Sequence, residues 1–119
     1  MGALDELIEN IESERVDHQV KELCDKIFEE ERSKIKHLDM LPKGPNIFLA
    51  LEVPGRLNQE LSFLCLERES QATYIVTVWS KSQISKPLVR TKVWEIKEYN
   101  KPDKILVEYA KKIKLMRGE

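Results

Sequence analysis

The chain has 119 residues, of which 41% are hydrophobic and 34% are charged, and its formal net charge is −1. This length and composition predict one globular domain (residues 1–119) with its own apolar core, and exclude an intrinsically disordered chain. No window approaches the roughly 20 apolar residues of a membrane span, and the acidic first residues lack the apolar segment of a signal peptide. We therefore expect a cytoplasmic protein without a membrane partner.

An N-terminal helical segment is predicted in residues 1–40, with helix through residue 38. Its apolar residues recur three or four positions apart in two sets. The first set is Leu4, Leu7, Ile8 and Ile11, and the second is Val16, Val20, Leu23, Cys24, Ile27, Phe28 and Ile35. The five-residue step from Ile11 to Val16 turns the apolar stripe by about 140° at 3.6 residues per turn. Either two helices meet near Ser13 or one long helix presents two apolar faces, and both versions need more than one packing partner.

Residues 46–99 are predicted to form a four-stranded sheet, because runs rich in β-branched and aromatic residues alternate with turn signals. The predicted strands are NIFLALEV (46–53), ELSFLCLER (60–68), TYIVTVWSK (73–81) and LVRTKVWEIKEY (88–99). A turn at Pro54–Arg56, a second turn after residue 68 and a loop at 82–87 connect them. These short connections favour an antiparallel meander in the order 1-2-3-4.

The first two strands are apolar on both faces, whereas a half-exposed strand alternates apolar and polar residues. In strand one, alternation gives one face to Phe48 and Ala50 and the other to Ile47, Leu49, Leu51 and Val53. Both faces of this half of the sheet therefore require cover. One face can take a helix, and the other takes the second helix or another copy of the protein.

A C-terminal helix is predicted in residues 101–118. Pro102 suits the first helical turn and Gly118 suits the end of the helix. One apolar stripe consists of Ile105, Leu106, Tyr109, Ala110, Ile113 and Met116. The complete pattern is that of an α+β fold, with an N-terminal helical segment, a four-stranded antiparallel meander sheet and a C-terminal helix.

Motifs that carry chemistry are absent from the sequence. There is no metal-ligand spacing around His18 or His37, no phosphate-binding glycine loop and no nucleophile elbow. Cys24 and Cys65 resemble the small buried apolar residues that free cysteines form in a reducing compartment. We therefore predict a protein that is not an enzyme, without catalytic or metal-binding residues and without a cofactor.

The surplus of apolar faces favours an interaction module, which could be a self-associating subunit, an adaptor or a chaperone-like protein. The predicted protein interface consists of Ile8, Ile11, Phe48 and Phe63, because we expect that one monomer core does not bury all four. The predicted partner is a protein, most simply a second copy in a homodimer. The alternative is a compact monomer that buries every one of these residues.

A nucleic-acid-binding surface is the alternative function. Arg90, Lys92 and Trp94 alternate along strand four, so in a regular strand they share one face, where cations can bind phosphates and the aromatic ring can stack on bases. The remaining residues of this predicted face are Lys81, Lys104, Lys111 and Lys112. A sequence pI near 6.2 argues against it, and lysines on an edge strand also deter aggregation.

Charge is distributed unevenly along the chain. Residues 1–36 contain 11 acidic and 6 basic side chains, and residues 81–119 contain 5 acidic and 11 basic side chains. This asymmetry indicates either a basic surface for an anionic partner or mutual attraction of the two ends, within the fold or across a dimer. We favour attraction of the two ends.

Overall fold

The computed structural model describes residues 2–55, 60–71, 73–81, 88–98 and 100–119. Its helices and strands are α1 (Ala3–Glu31), β1 (Ile47–Pro54), β2 (Leu61–Ser70), β3 (Thr73–Ser80), β4 (Val89–Ile96) and α2 (Pro102–Arg117). The α+β fold predicted from the sequence is confirmed. The predicted loop 82–87, Arg56 of the predicted turn and Tyr99 of the predicted fourth strand lie outside the described residues.

The N-terminal segment is one continuous helix of 29 residues, so the version with two apolar faces is the correct one. The helix ends at Glu31 rather than at residue 38, and short 3-10 turns follow at Arg32–Lys34 and Leu38–Met40. Between these turns Ile35 has an extended backbone and a buried side chain. Burial of this apolar side chain against the core turns the chain back towards β1, which overrides the helical spacing of the sequence.

The sheet is antiparallel with the order β1-β2-β3-β4, which confirms the predicted meander. The strand boundaries differ slightly from the prediction, because β2 continues to Ser70 and β4 ends at Ile96. The longer β2 brings the β2–β3 turn at Gln71 close to α1, where Ser13 donates a hydrogen bond to the Gln71 carbonyl oxygen at 2.8 Å.

Both helices pack on one face of the sheet, here called the helix face. Val20 and Cys24 of α1 and Tyr109 of α2 belong to the same buried cluster as the strand residues of this face. The strand members of this cluster are Leu49, Leu51, Val53, Leu64, Leu66, Tyr74, Val76 and Ile96. The sequence predicts that the second helix or another copy covers the opposite face. The structure excludes the second helix, because α2 packs on the helix face.

The opposite face, here called the far face, has a smaller apolar cluster. Ala50, Phe63 and Cys65 are its buried members. Met40 and Leu41, from the segment between α1 and β1, pack against this cluster. The segment between α1 and β1 thus covers part of the far face, where the sequence pattern predicts a helix or a second copy of the protein.

The strand pairing shifts at three positions, one of them between Arg68 and Ser70 of β2. The other two decide which of the predicted side chains share a face. The pairing of β1 with β2 shifts by one residue at Phe48, and the pairing of β4 with β3 shifts by one at Val93. An extra residue in one strand reverses the alternation beyond it.

Phe48 therefore packs with the core of the helix face, where its ring centroid lies 5.6 Å from that of Tyr74. The predicted placement of Phe48 with Ala50 on one face is therefore wrong. The placement of Ile47 with Leu49 is also wrong, because Ile47 packs against the cluster of the far face.

Candidate interaction surfaces

The first turns of α1 carry four exposed aliphatic side chains. Their exposed fractions are 69% for Leu4, 55% for Leu7, 47% for Ile8 and 57% for Ile11. The spacing of three and four residues places them on one side of the helix, here called the N-terminal stripe. The buried residues of α1 begin at Ser13 and continue at Val16, Val20 and Cys24, on a different side of the helix.

The sheet supports α1 from Asn10 onwards. The side chain of Gln71 donates a hydrogen bond to the Asn10 side chain, and Arg68 contacts both Ser13 and Asp17. Tyr74 donates its hydroxyl hydrogen to the same Asp17 carboxylate. Residues 2–9 precede this anchored region and are all exposed, so the first turns extend past the β2–β3 turn.

The flanks of the N-terminal stripe are acidic. Residues 2–14 contain five carboxylates and no lysine or arginine; the carboxylates are Asp5, Glu6, Glu9, Glu12 and Glu14. Asp5 and Glu6 lie in the first turn of α1, where negative charge interacts favourably with the helix dipole. The exposed Arg15 lies one turn after Ile11 on the same side of the helix, so acidic side chains flank the stripe and one cation borders its C-terminal end. The excess of negative charge favours a partner surface that is apolar and basic.

The predicted protein interface is only partly brought together by the structure. Ile8 and Ile11 lie side by side on the N-terminal stripe, with Leu4 and Leu7 beside them. Phe63 is fully buried in the far-face cluster, and Phe48 is partly buried on the helix face. One chain therefore accommodates both phenylalanines. Leu4 and Leu7 were not part of the predicted interface, although the spacing of three and four residues in the sequence groups them with Ile8 and Ile11.

The residues of the predicted nucleic-acid face are separated by the sheet. Arg90 pairs with Trp79 and Lys92 pairs with Thr77, which places both cations on the far face. Trp94 lies beyond the shift at Val93 and packs on the helix face. The prediction that Arg90, Lys92 and Trp94 share one face is therefore wrong.

Helix α2 carries three of the other cations of that prediction. The Lys112 ammonium lies 5.0 Å from the centroid of the Trp94 ring, on the helix side of the sheet. Lys104 and Lys111 are exposed on α2, and Lys81 is exposed just after β3. The predicted surface is thus divided among two faces of the sheet and a helix, and nucleic-acid binding stays a prediction.

Most of these cations also lie beside carboxylates. On the sheet, Arg90 contacts Glu67 at 3.1 Å and Lys92 contacts Glu69 at 3.3 Å. Lys104 of α2 contacts Glu98, which precedes the helix, at 2.7 Å, and Lys111 contacts Glu108 of the same helix at 3.2 Å. Each neighbouring carboxylate offsets positive charge that phosphate binding requires.

A buried carboxylate organises the polar part of the far face. Glu67 is 6% exposed. Its Oε2 accepts hydrogen bonds from the Thr77 hydroxyl, from Trp79 Nε1 at 3.3 Å and from Arg90 Nε at 3.1 Å. Three donors, one of them charged, compensate for the burial of this carboxyl group. In the sequence Glu67 lies two positions after Cys65, which places it on the same face of a regular strand.

The thiol beside this cluster is protected rather than activated. Burial raises the pKa of Cys65 strongly, and the nearby Glu67 charge raises it further. Burial likewise raises the pKa of Cys24 to about 12, with a contribution from Asp25. Both thiols are free and buried, which confirms the prediction from the sequence. A high pKa keeps them as neutral thiols, so they are poor nucleophiles at neutral pH.

Among the described residues, no three or more His, Cys, Asp or Glu side chains lie close enough together to hold a metal ion. None of the helices in the described ranges combines the length and the apolar character needed to cross a membrane. In comparisons with protein-family models, with curated proteins and with solved structures, the chain gave no match.

Proposed function

We propose that the protein is a non-enzymatic interaction module that self-associates through the N-terminal stripe. The observation that supports this proposal is the exposure of four aliphatic side chains within the first three turns of α1. Contiguous exposed apolar side chains on a polar background are typical of a protein-binding surface. The proposal includes a cytoplasmic location, because the two cysteines are free and buried.

The size of the N-terminal stripe determines the strength of the association. Burial of a whole leucine or isoleucine side chain contributes about 1.5–3 kcal/mol. Covering the exposed halves of four such side chains therefore contributes about 3–6 kcal/mol in each copy, which is of the same order as the cost of association, about 4–15 kcal/mol. We expect a weak association that depends on protein concentration, rather than a permanent dimer.

Sedimentation velocity over a range from micromolar to several hundred micromolar protein tests this proposal. The wild-type chain is expected to shift from monomer towards dimer, and Ile8→Ser with Ile11→Ser is expected to abolish the shift. A matched control changes two exposed valines of β4, Val89→Thr and Val93→Thr, and should leave the association unchanged. A wild-type chain that stays monomeric over the whole range would overturn the proposal.

A further inference from the structure

The outward side of α2 is the chemical complement of the N-terminal stripe. Val107 is 52% exposed and Leu115 is 70% exposed, opposite the buried Ile105, Leu106 and Tyr109. Lysines surround these two aliphatic side chains on the same side of the helix. This surface, here called the α2 outer face, consists of Lys104, Val107, Lys111, Lys114 and Leu115, all of them exposed. Lys104 and Lys111 also contact Glu98 and Glu108, so part of its positive charge is offset within the chain.

In a dimer, the N-terminal stripe of one copy can pack either on the N-terminal stripe or on the α2 outer face of the other copy. The charges of these surfaces favour one of the two arrangements. If two stripes faced each other, the carboxylates that flank the stripe in one copy (Asp5, Glu12 and Glu14) would lie close to the same carboxylates of the other, and like charges repel. If the stripe faced the α2 outer face, aliphatic side chains would meet aliphatic side chains and carboxylates would meet lysines. The second arrangement is favoured by both the apolar and the electrostatic contributions.

The two surfaces cannot meet within one chain. Pro102 and Asp103, at the start of α2, line a cleft with Gln19 and Glu22 from the middle of α1. At the other end, Arg117 of α2 contacts Glu31 of α1 at 3.5 Å. The helices therefore run parallel, with α2 beside the second half of α1.

The offset between the helices fixes the distance from the stripe to α2. Ile11 precedes Gln19 by eight residues, or about 12 Å along the helix. The N-terminal stripe therefore lies beyond the start of α2, and only the α2 outer face of another copy is available to it.

We infer that the N-terminal stripe of one copy packs on the α2 outer face of a second copy, and that the contact is reciprocal. The inference rests on the proposed self-association and specifies its geometry. In a dimer with two-fold symmetry each copy contributes one N-terminal stripe and one α2 outer face, so the same contact forms twice. Such a dimer is closed and does not grow into a filament.

Charge reversal at each surface tests this arrangement. The stripe variant carries Asp5→Lys and Glu12→Lys, two exposed positions on the same flank of the N-terminal stripe. The α2 variant carries Lys111→Glu and Lys114→Glu. Each variant alone is expected to self-associate at least tenfold more weakly than wild type, because both of its surfaces then have the same sign of charge. An equimolar mixture is expected to recover the dimer, because each surface then faces a surface of opposite charge.

The readout is sedimentation velocity combined with native mass spectrometry, which separates mixed dimers from dimers of one variant. Lys36→Glu with Lys43→Glu is the matched control for the α2 variant, since it makes the same charge change at exposed lysines elsewhere. It should dimerise like wild type. Far-UV circular dichroism establishes that every variant is folded.

The outcomes separate this inference from the proposed function. Weak association of each variant, with recovery in the mixture, supports the inference. If the wild type dimerises and the α2 variant dimerises equally well, or if the mixture does not recover, the reciprocal contact is wrong while self-association stands. If the wild type stays monomeric at all concentrations, both are wrong.

Discussion

Glu67 and Glu69 lie two positions apart on β2, and each contacts a cation of β4. Glu67 is buried and accepts three hydrogen bonds, whereas the Glu69 side chain is 40% exposed and contacts Lys92 at 3.3 Å. We expect Glu67→Gln to lower the free energy of unfolding by about 2 kcal/mol, because hydrogen bonds to a buried charge are lost or weakened. Glu69→Gln is the matched control and should cost less than about 0.5 kcal/mol, as exposed ion pairs do. Urea unfolding followed by tryptophan fluorescence measures both values, and equal losses would contradict this description of Glu67.

The hydroxyl of Tyr109 forms a hydrogen bond between α2 and β2, an inner strand of the sheet. Tyr109 is 1% exposed and donates a hydrogen bond to the Leu64 carbonyl oxygen at 2.6 Å. Tyr109→Phe keeps the ring and removes this bond, so the free energy of unfolding should fall by about 1–1.5 kcal/mol. Val107→Ala, on the exposed side of the same helix, should change it by less than about 0.5 kcal/mol. A Tyr109→Phe variant as stable as wild type would show that the hydroxyl contributes nothing to folding.

At the scale of the elements, the first turns of α1 are separable from the rest of the fold. Residues 2–9 contain no buried side chain, and the anchoring contacts of α1 begin at Asn10. Deletion of residues 2–9 should therefore change the free energy of unfolding by less than about 1 kcal/mol while removing the self-association. Thermal unfolding and sedimentation velocity on the shortened chain measure the two effects. A large loss of stability would show that these turns pack against the body of the protein.

Hydrophobic periodicity predicts the elements of this fold but not their irregular positions. The spacing in the sequence was sufficient for the order of helices and strands and for the two apolar sides of α1. It was insufficient for Phe48 and Val93, because a single extra residue in a strand reverses which side chains share a face. The proposed nucleic-acid face relied on regular alternation from Arg90 to Trp94, and the shift at Val93 divides it. The N-terminal stripe relied on helical spacing within an uninterrupted helix, and its residues do lie together.

At the scale of the whole molecule, the sequence could not decide how the two faces of the sheet are covered. Both faces of β1 and β2 are apolar, so the pattern allows a helix on either side. The structure places both helices on one face, where their contacts converge on the large cluster around Val20 and Tyr109. The far face receives Met40 and Leu41 instead. Tertiary packing of a connecting segment leaves no periodic signal in the sequence.

The buried thiols and phenols predict how the stability of the whole protein depends on pH. Burial raises the pKa of Cys24 to about 12 and that of Cys65 strongly, from the ordinary value of 9.0. Burial also raises the pKa of Tyr74 to about 12 and that of Tyr109 well above its ordinary value of 10.0. Above about pH 9 the unfolded chain therefore loses protons that the folded chain keeps, so the unfolded state binds fewer protons and the stability falls with rising pH.

The stabilising contribution of the neutral thiols is fully present below pH 9.0 and is lost as the pH rises towards about 12. We expect the free energy of unfolding to fall between these values by up to about 1.4 kcal/mol per pH unit for each thiol. Urea unfolding at pH 8, 9, 10 and 11 measures the slope, and a variant with Cys24→Ala and Cys65→Ala should show a smaller one. A slope that is equal in the two proteins would mean that the thiols ionise as readily in the folded chain as in the unfolded chain. We expect a smaller slope for the double variant, because each thiol is buried in its own cluster, one on each face of the sheet. Hydroxide can reach either thiol only when that side of the core opens.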